Sequence, residues 1–173
     1  LNVTIDKCTP YSLMMHAFSA TTYHDVDMDP VHAYALGHSP IRTQMFWIEI
    51  HGVTNRVHTH LVRHKIGVEW FVRTQRPDRV RHDAAYPQLR DLCAWANAQA
   101  IINISHMRLC HRAWVDTRIV WEAVREAMGD ADKALQAHMV PLCVYRGGLC
   151  AERCGKYRDV MREYGCYGGM ING

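Results

Sequence analysis

The segment that most constrains the fold runs from Gln88 to Met107. Leu89, Leu92, Cys93, Ala96, Ala100, Ile101, Ile104 and Met107 repeat at i, i+3, i+4 and i+7, the spacing of one helix face. That stripe predicts the longest helix of the chain, and it must be covered by other apolar elements. "AWVDTRIVWEAVREAMG" predicts a second helix that stops at Gly129. "DADKALQAHMV" predicts a third, capped by Asp130 and ended by Pro141.

The first third of the chain mixes periods. "LNVTI" reads as a short strand, and "TQMFWIEIHGV" as a longer one, rich in aromatic and β-branched residues. "TPYSLMMHAFSATT" predicts a helix with Thr9 as N-cap and Leu13, Met14 and Ala17 on one face. "MDPVHAYALGHSP" predicts a short helix ending at Gly37, and "NRVHTHLVRHK" another with Val57, Leu61 and Val62 on its apolar side. The fold class is therefore α+β, a small sheet with long packed helices. Residues 1–142 form the expected core. Residues 143–173 form a Cys/Gly-rich tail packing on it, with a helix over about 151–164.

Composition narrows the function. A chain of 173 residues, 49% hydrophobic, has the size and the apolar content of one domain. No apolar run approaches the roughly 20 residues of a membrane span. The net charge of +3 is too small for a general nucleic-acid coat and points to a local patch for a small anion. Seven cysteines, an odd number, argue against a secreted disulfide framework, so a reducing cytoplasm is expected.

The patch is "LVRHKIGVEWFVRTQRPDR", residues 61–79. Arg63, His64, Lys65, Arg73, Arg76 and Arg79 face only Glu69 and Asp78. Arginine forks suit phosphate. Gly67 lets the backbone approach a ligand, and Trp70 and Phe71 offer rings for stacking. The alternative is a solvated basic face over two core aromatics.

"GHSP…MFWIEIHGVTNRVHTHLVRHKIG…RTQR" resembles the signature region of flavin-dependent thymidylate synthases, the ThyX family. "NAQAIINISHMR", residues 97–108, is similar to that family's Asn-x-Arg-x-x-x-Asn-x-x-x-x-Arg helix without a gap. "RAWVD" stands where the family has Ala-Gln-x-Glu. The resemblance covers roughly residues 35–141 and implies a ThyX-like fold. It implies an enzyme that methylates dUMP to dTMP with FAD as cofactor and with methylenetetrahydrofolate and NADPH as co-substrates. It also implies a homotetramer with shared active sites, and no nucleic-acid partner. Carried over by position, Ser39, Arg63, His64, Lys65, Asn97, Gln99 and Asn103 would hold FAD, with Glu69 nearby. His60 and Arg63 would lie by the pyrimidine deoxynucleotide, and Arg108 would contact its ring. A cation beside a uracil imide favours the ionised ring, which is more electron-rich at C5.

Several positions depart from the pattern. Lys65 replaces the third motif Arg and loses its fork. The Ser of the family's Ser-x-Arg is missing: without a gap Arg73 stands there. With a one-residue insertion Thr74 does and Arg76 becomes the motif Arg, the better match because "TQR" then mimics Ser-x-Arg. The helical insertion that follows in the family is reduced to "PDRVRHDAAYPQ", where Arg79 or Arg81 stands in for an Arg. These changes fall on the nucleotide side. One-carbon transfer to another pyrimidine nucleotide, or a non-catalytic nucleotide- or nucleic-acid-binding module, are the alternatives.

Other clusters carry metal-ligand residue types. His58, His60 and His64 lack a Glu at general-base spacing. The His24–Asp25 and His82–Asp83 pairs lack the supporting residues of a metal hydrolase. Cys143, Cys150, Cys154 and Cys166 are spaced x6, x3 and x11. They are candidates for a tetrathiolate site, set against buried free cysteine.

Overall fold

The computed structural model describes residues 1–74, 76 and 89–165. The fold is α+β, built on a four-stranded antiparallel sheet among the described residues, in the order β1-β2-β4-β3. β1 is Asn2–Lys7, β2 Met45–Thr54, β3 Val68–Val72 and β4 Leu89–Asn97. β2 is central because its alternation is complete: Phe46, Ile48 and Ile50 are buried on one face. Gly52, at φ +79°, sits in a bulge between Ile50 and Val53, and its N–H donates to Asp91 Oδ1 at 3.1 Å.

The helices cover the Phe46 face. They are α1 (Tyr11–Thr22), α2 (Pro30–Leu36), α3 (Asn55–Leu61), α4 (Ala98–Arg108), α5 (Val115–Ala131) and α6 (Lys133–His138). α7 (Leu142–Tyr145) and α8 (Tyr157–Tyr164) carry the tail. The other face of the sheet carries Trp47 opposite Trp95, with Phe71 5.5 Å from Trp47 between ring centroids. Phe71 and Trp95 are 52% and 38% exposed, so this aromatic face is only partly covered.

One buried carboxylate ties the layers together. Asp132, where α5 passes into α6, accepts from Lys7 Nζ at 2.8 Å, from Tyr34 Oη at 2.9 Å, from the Leu135 amide at 2.9 Å and from Tyr11 Oη. Burial alone would raise its pKa. The Lys7 ammonium and these donors outweigh burial and hold it below the usual carboxylate range.

The main correction concerns residues 88–107. The expected long helix is strand β4 as far as Asn97 and helix α4 only from Ala98. Leu92, Ala94 and Ala96 alternate inward, and Asn97 ends the strand by capping the helix, its Oδ1 accepting from the Ala100 amide at 2.9 Å. β3, in a stretch to which the sequence assigned no element, is an edge strand on β4. α5 runs past Gly129 to Ala131, and Asp132 rather than Asp130 caps α6. Pro10, not Thr9, precedes α1. Thr9 Oγ1 instead donates to Thr43 O at 2.8 Å and accepts from the Met45 amide at 2.9 Å. In α1 Met14 and Phe18 are buried and Leu13 is exposed. α8 begins at Tyr157, well after 151.

Candidate functional site

α3 and α4 meet at their C-terminal ends. Thr54 caps α3, its Oγ1 accepting from the Val57 amide at 3.4 Å, and Val57 and Leu61 fix the helix on the core. His60 lies in its last turn, and Arg63, His64 and Lys65 follow. From α4, half-buried Arg108 reaches across: its Nε–H donates to His64 Nε2 at 2.9 Å and its Nη2 to His60 O at 2.9 Å. Because Nε2 accepts, the His64 ring carries its proton on Nδ1. Burial, and then the Arg108 charge, push the His64 pKa down to about 4, so the ring is neutral at pH 7.

His60 Nδ1 lies 2.8 Å from Thr117 Oγ1, at the start of α5. Burial first, then Arg108, Arg63 and Arg56, lower the His60 pKa. Burial and then Arg63 lower the Arg108 pKa, but a guanidinium stays charged. Among the described residues no carboxylate pairs with Arg108. A half-buried cation held by neutral acceptors, with Arg63 near it, favours a bound anion.

Gly67 and Asn97 link this corner to β3. The Gly67 carbonyl accepts from the Asn97 amide at 2.9 Å. At φ +74°, with an added Cβ only 2.6 Å from Asn97 Nδ2, position 67 needs glycine. Lys65 and Glu69 line a cleft of about 450 Å³ together with His58 and Trp70. Arg108 lines a second cavity, of about 570 Å³, with His106 and Cys110.

The expected site residues therefore divide. His60, Arg63, His64 and Arg108 come together, whereas Lys65 and Glu69 share the other cleft and Asn97 lies beside Gly67. Gln99 Nε2 donates to Asn103 Oδ1 at 3.1 Å on the surface of α4. Ser39 is exposed at the start of a 3₁₀ turn, Ser39–Thr43, that packs against α4. Arg73 lies about 16 Å along the strand beyond Val68, paired with Asp91 at 2.8 Å. Thr74 Oγ1 accepts from the Arg76 amide at 3.2 Å just beyond it. Arg79, Arg81, His82 and Asp83 lie outside the described residues.

Sequence reading missed Thr117 and Arg56. Arg56 lies 4.3 Å from the Trp114 ring, and only the resemblance of "RAWVD" pointed to that neighbourhood. Of the two roles open to Trp70 in the sequence, stacking ring or core aromatic, its packing fits the second: the indole lies on the core and its Nε1 donates to His64 O at 2.8 Å.

No protein-family profile matches the chain, and no curated protein sequence matches it significantly. Solved structures do match. A thymidylate synthase X (ThyX) from Helicobacter pylori with FAD and dUMP is 14% identical. It aligns over 78% of this chain and 99% of its own at a TM-score of 0.57. A second H. pylori flavin-dependent thymidylate synthase structure, complexed with FAD and dUMP, reaches 0.62 at 14% identity, over 78% and 98% of the two chains. The fold is ThyX-like. A UMP/dUMP methylase, PolB, from Streptomyces cacaoi bound with 5-Br dUMP aligns at 0.58 and 11% identity, over 79% and 94%. At such identities the shared property is the fold, in which the Arg108 helix of this chain directly follows its fourth strand, β4.

Proposed function

We propose that this chain is a flavin-dependent methylase of a pyrimidine deoxynucleotide, with dUMP as substrate and dTMP as product. The observation that carries the reading is Arg108, a cation with no carboxylate partner among the described residues, aimed by neutral His64 and the His60 carbonyl. The donor set fits a dinucleotide cofactor: Arg63 and Lys65 are exposed cations, Lys65 on the wall of a cleft.

In this reading Arg63, His64 and Lys65 hold FAD, with Ser39, Asn97, Gln99 and Asn103 adding contacts. FAD reduced by NADPH supplies a hydride when bound, and methylenetetrahydrofolate supplies the carbon. Arg108 faces the pyrimidine imide, lowers its pKa and so enriches C5 in electron density. His64, with Nε2 engaged by Arg108, has Nδ1–H left to donate. His60, neutral and oriented by Thr117, adds no competing charge at the ring.

Arg73, Thr74 and Arg76 lie beyond the far end of β3, where Asp91 holds Arg73. They serve a nucleotide only if a second copy brings its own Arg108 to them. A homotetramer with shared sites, joined in part through the Trp47, Phe71 and Trp95 face, meets that need. The likeness to a UMP/dUMP methylase supports a second reading, one-carbon transfer to another pyrimidine nucleotide.

The test is the visible spectrum of the purified protein with added FAD, then titration with dUMP and UMP, then tritium release from C5-labelled nucleotide. Flavin bands that shift with dUMP, followed by tritium release, support the proposal. A shift with UMP alone favours the second reading. A protein that takes up no flavin and shows salt-dependent nucleic-acid binding is a binding module on this fold.

A further inference from the structure

Thr117 is buried in the first turn of α5, and its hydroxyl has one partner among the described residues, Nδ1 of His60 at 2.8 Å. A helical threonine can turn its hydroxyl onto the carbonyl four residues back, as Thr59 does onto Asn55 O at 2.8 Å. Thr117 makes no such bond among the described residues. A buried O–H left without an acceptor is costly, so the Thr117 hydroxyl donates to His60 Nδ1. A neutral imidazole carries one ring proton, and that of His60 therefore sits on Nε2. The Nε2 edge bonds to no described residue and is not sealed in the core. It is a donor open to a ligand.

The neighbouring groups present the same polarity. Arg108 uses its Nε–H on His64 and one Nη2 proton on the His60 carbonyl, and its other N–H groups remain to donate. His64, with Nε2 accepting, offers Nδ1–H. The carbonyls at hand are already engaged: that of His60 accepts from Arg108, and that of His64 from Trp70 Nε1 at 2.8 Å. Among the described residues, the charges acting on His60, His64 and Arg108 come from arginines alone: Arg108, Arg63 and Arg56.

We propose that Thr117 is a positioning residue that fixes His60 as a hydrogen-bond donor, and that the donor-only corner of His60, His64 and Arg108 selects a pyrimidine nucleotide with oxygen at C4 over one with an amino group there. This selection rests on the nucleotide-methylase reading and narrows its substrate to the uracil type. A uracil ring offers these donors its C4 oxygen and, once ionised, its N3. A cytosine ring turns a 4-amino group toward them, donor against donor, and leaves N–H groups unpaired on both sides. Without the Thr117 hydroxyl neither His60 tautomer is held. The ring can then move its proton to Nδ1 and present Nε2 as the acceptor that a 4-amino group needs.

The full chain is tested by two readouts. Long-range proton–nitrogen NMR, at a pH above the histidine range, reads the His60 tautomer. It should be Nε2–H in the wild type and in Thr117→Ser, and mixed in Thr117→Val. Titration calorimetry with dUMP and dCMP, with and without FAD, reads selectivity. The wild type and Thr117→Ser should bind dUMP about tenfold or more tighter than dCMP. Thr117→Val should lose most of that ratio while flavin uptake stays unchanged. The tautomer and the ratio of the wild type decide the matter even if Thr117→Val fails to fold. An Nδ1–H tautomer in the wild type, equal binding of dUMP and dCMP, or a wild-type ratio in Thr117→Val each overturns the proposal. Selective dUMP binding by a chain that takes up no flavin would sink the flavin-dependent reading and leave this selection standing. A chain that binds neither nucleotide overturns both.

Discussion

Arg108 donates its Nε–H to Nε2 of His64 across 2.9 Å, so a cation is aimed by a ring that carries no charge of its own. A carboxylate in that place would neutralise Arg108 and compete with an anionic ligand. A neutral imidazole orients it and leaves its charge available. The two residues are far apart in sequence, and the ends of α3 and α4 bring them together.

Arg108→Lys keeps the charge but cannot serve both the His64 ring and the His60 carbonyl. Loss of about 10²-fold or more in turnover of dUMP is expected, by analogy with removal of one positioned donor. Flavin uptake, read from the visible spectrum, should change far less. Equal loss of both would place Arg108 on the cofactor side.

His64 should stay neutral through ordinary assay conditions. Its pKa is pushed down to about 4 by burial and then by Arg108, below an unfolded value of roughly 6.5. Between those values the unfolded chain binds the extra proton, so stability rises with pH, and the contribution is lost as pH falls towards about 4. NMR titration of the ring should be flat down to about pH 5. In Arg108→Leu the midpoint should rise, because a like charge has gone.

Much of this corner was legible in sequence and some was not, for physical reasons. β2 and α3 declare themselves: Phe46, Ile48 and Ile50 alternate, and Thr54 precedes a helix with Val57 and Leu61 four apart. The stripe from Leu89 misled because Leu92, Ala96 and Ala100 satisfy a period of two as well as a helical face across a strand-to-helix junction. The switch is Asn97, whose capping role is invisible until the strand partner is known. β3 is a short edge strand in which Val68 alone is fully buried, too little pattern to read. Cys110 is remote in sequence from Cys143, Cys150 and Cys154, so only the packing shows that it shares a cavity with them; among the described residues no three such side chains are placed to hold a metal, and Cys166 lies outside the described residues.

Gly67→Ala should be costlier than Gly37→Ala. Both positions have positive φ, but an added Cβ meets nothing within 4 Å at 37 and comes 2.6 Å from Asn97 Nδ2 at 67. Each substitution carries about 1–2 kcal/mol of left-handed strain. At 67 the cap of α4 must also move, since Asn97 Oδ1 accepts from the Ala100 amide, adding about 1 kcal/mol. Denaturant unfolding of the two variants measures the difference, and equal losses would refute the close approach.

Asp132→Asn tests what holds β1, α1, α2 and α6 together. The change keeps the shape but leaves the Lys7 ammonium, now partly buried, without its counter-charge. Removing one partner of such a pair costs about 3–5 kcal/mol. The double variant Lys7→Met/Asp132→Asn should recover part of that loss, because no buried charge then remains unpaired. The acid limb should respond too. The folded pKa of Asp132 lies below its unfolded value, so its contribution is present above the unfolded pKa and is lost as pH falls through the folded one. Urea midpoints measured across that range should converge for the wild type and Asp132→Asn at low pH. A gap that persists undiminished in acid would mean that Asp132 acts through packing and not through its charge.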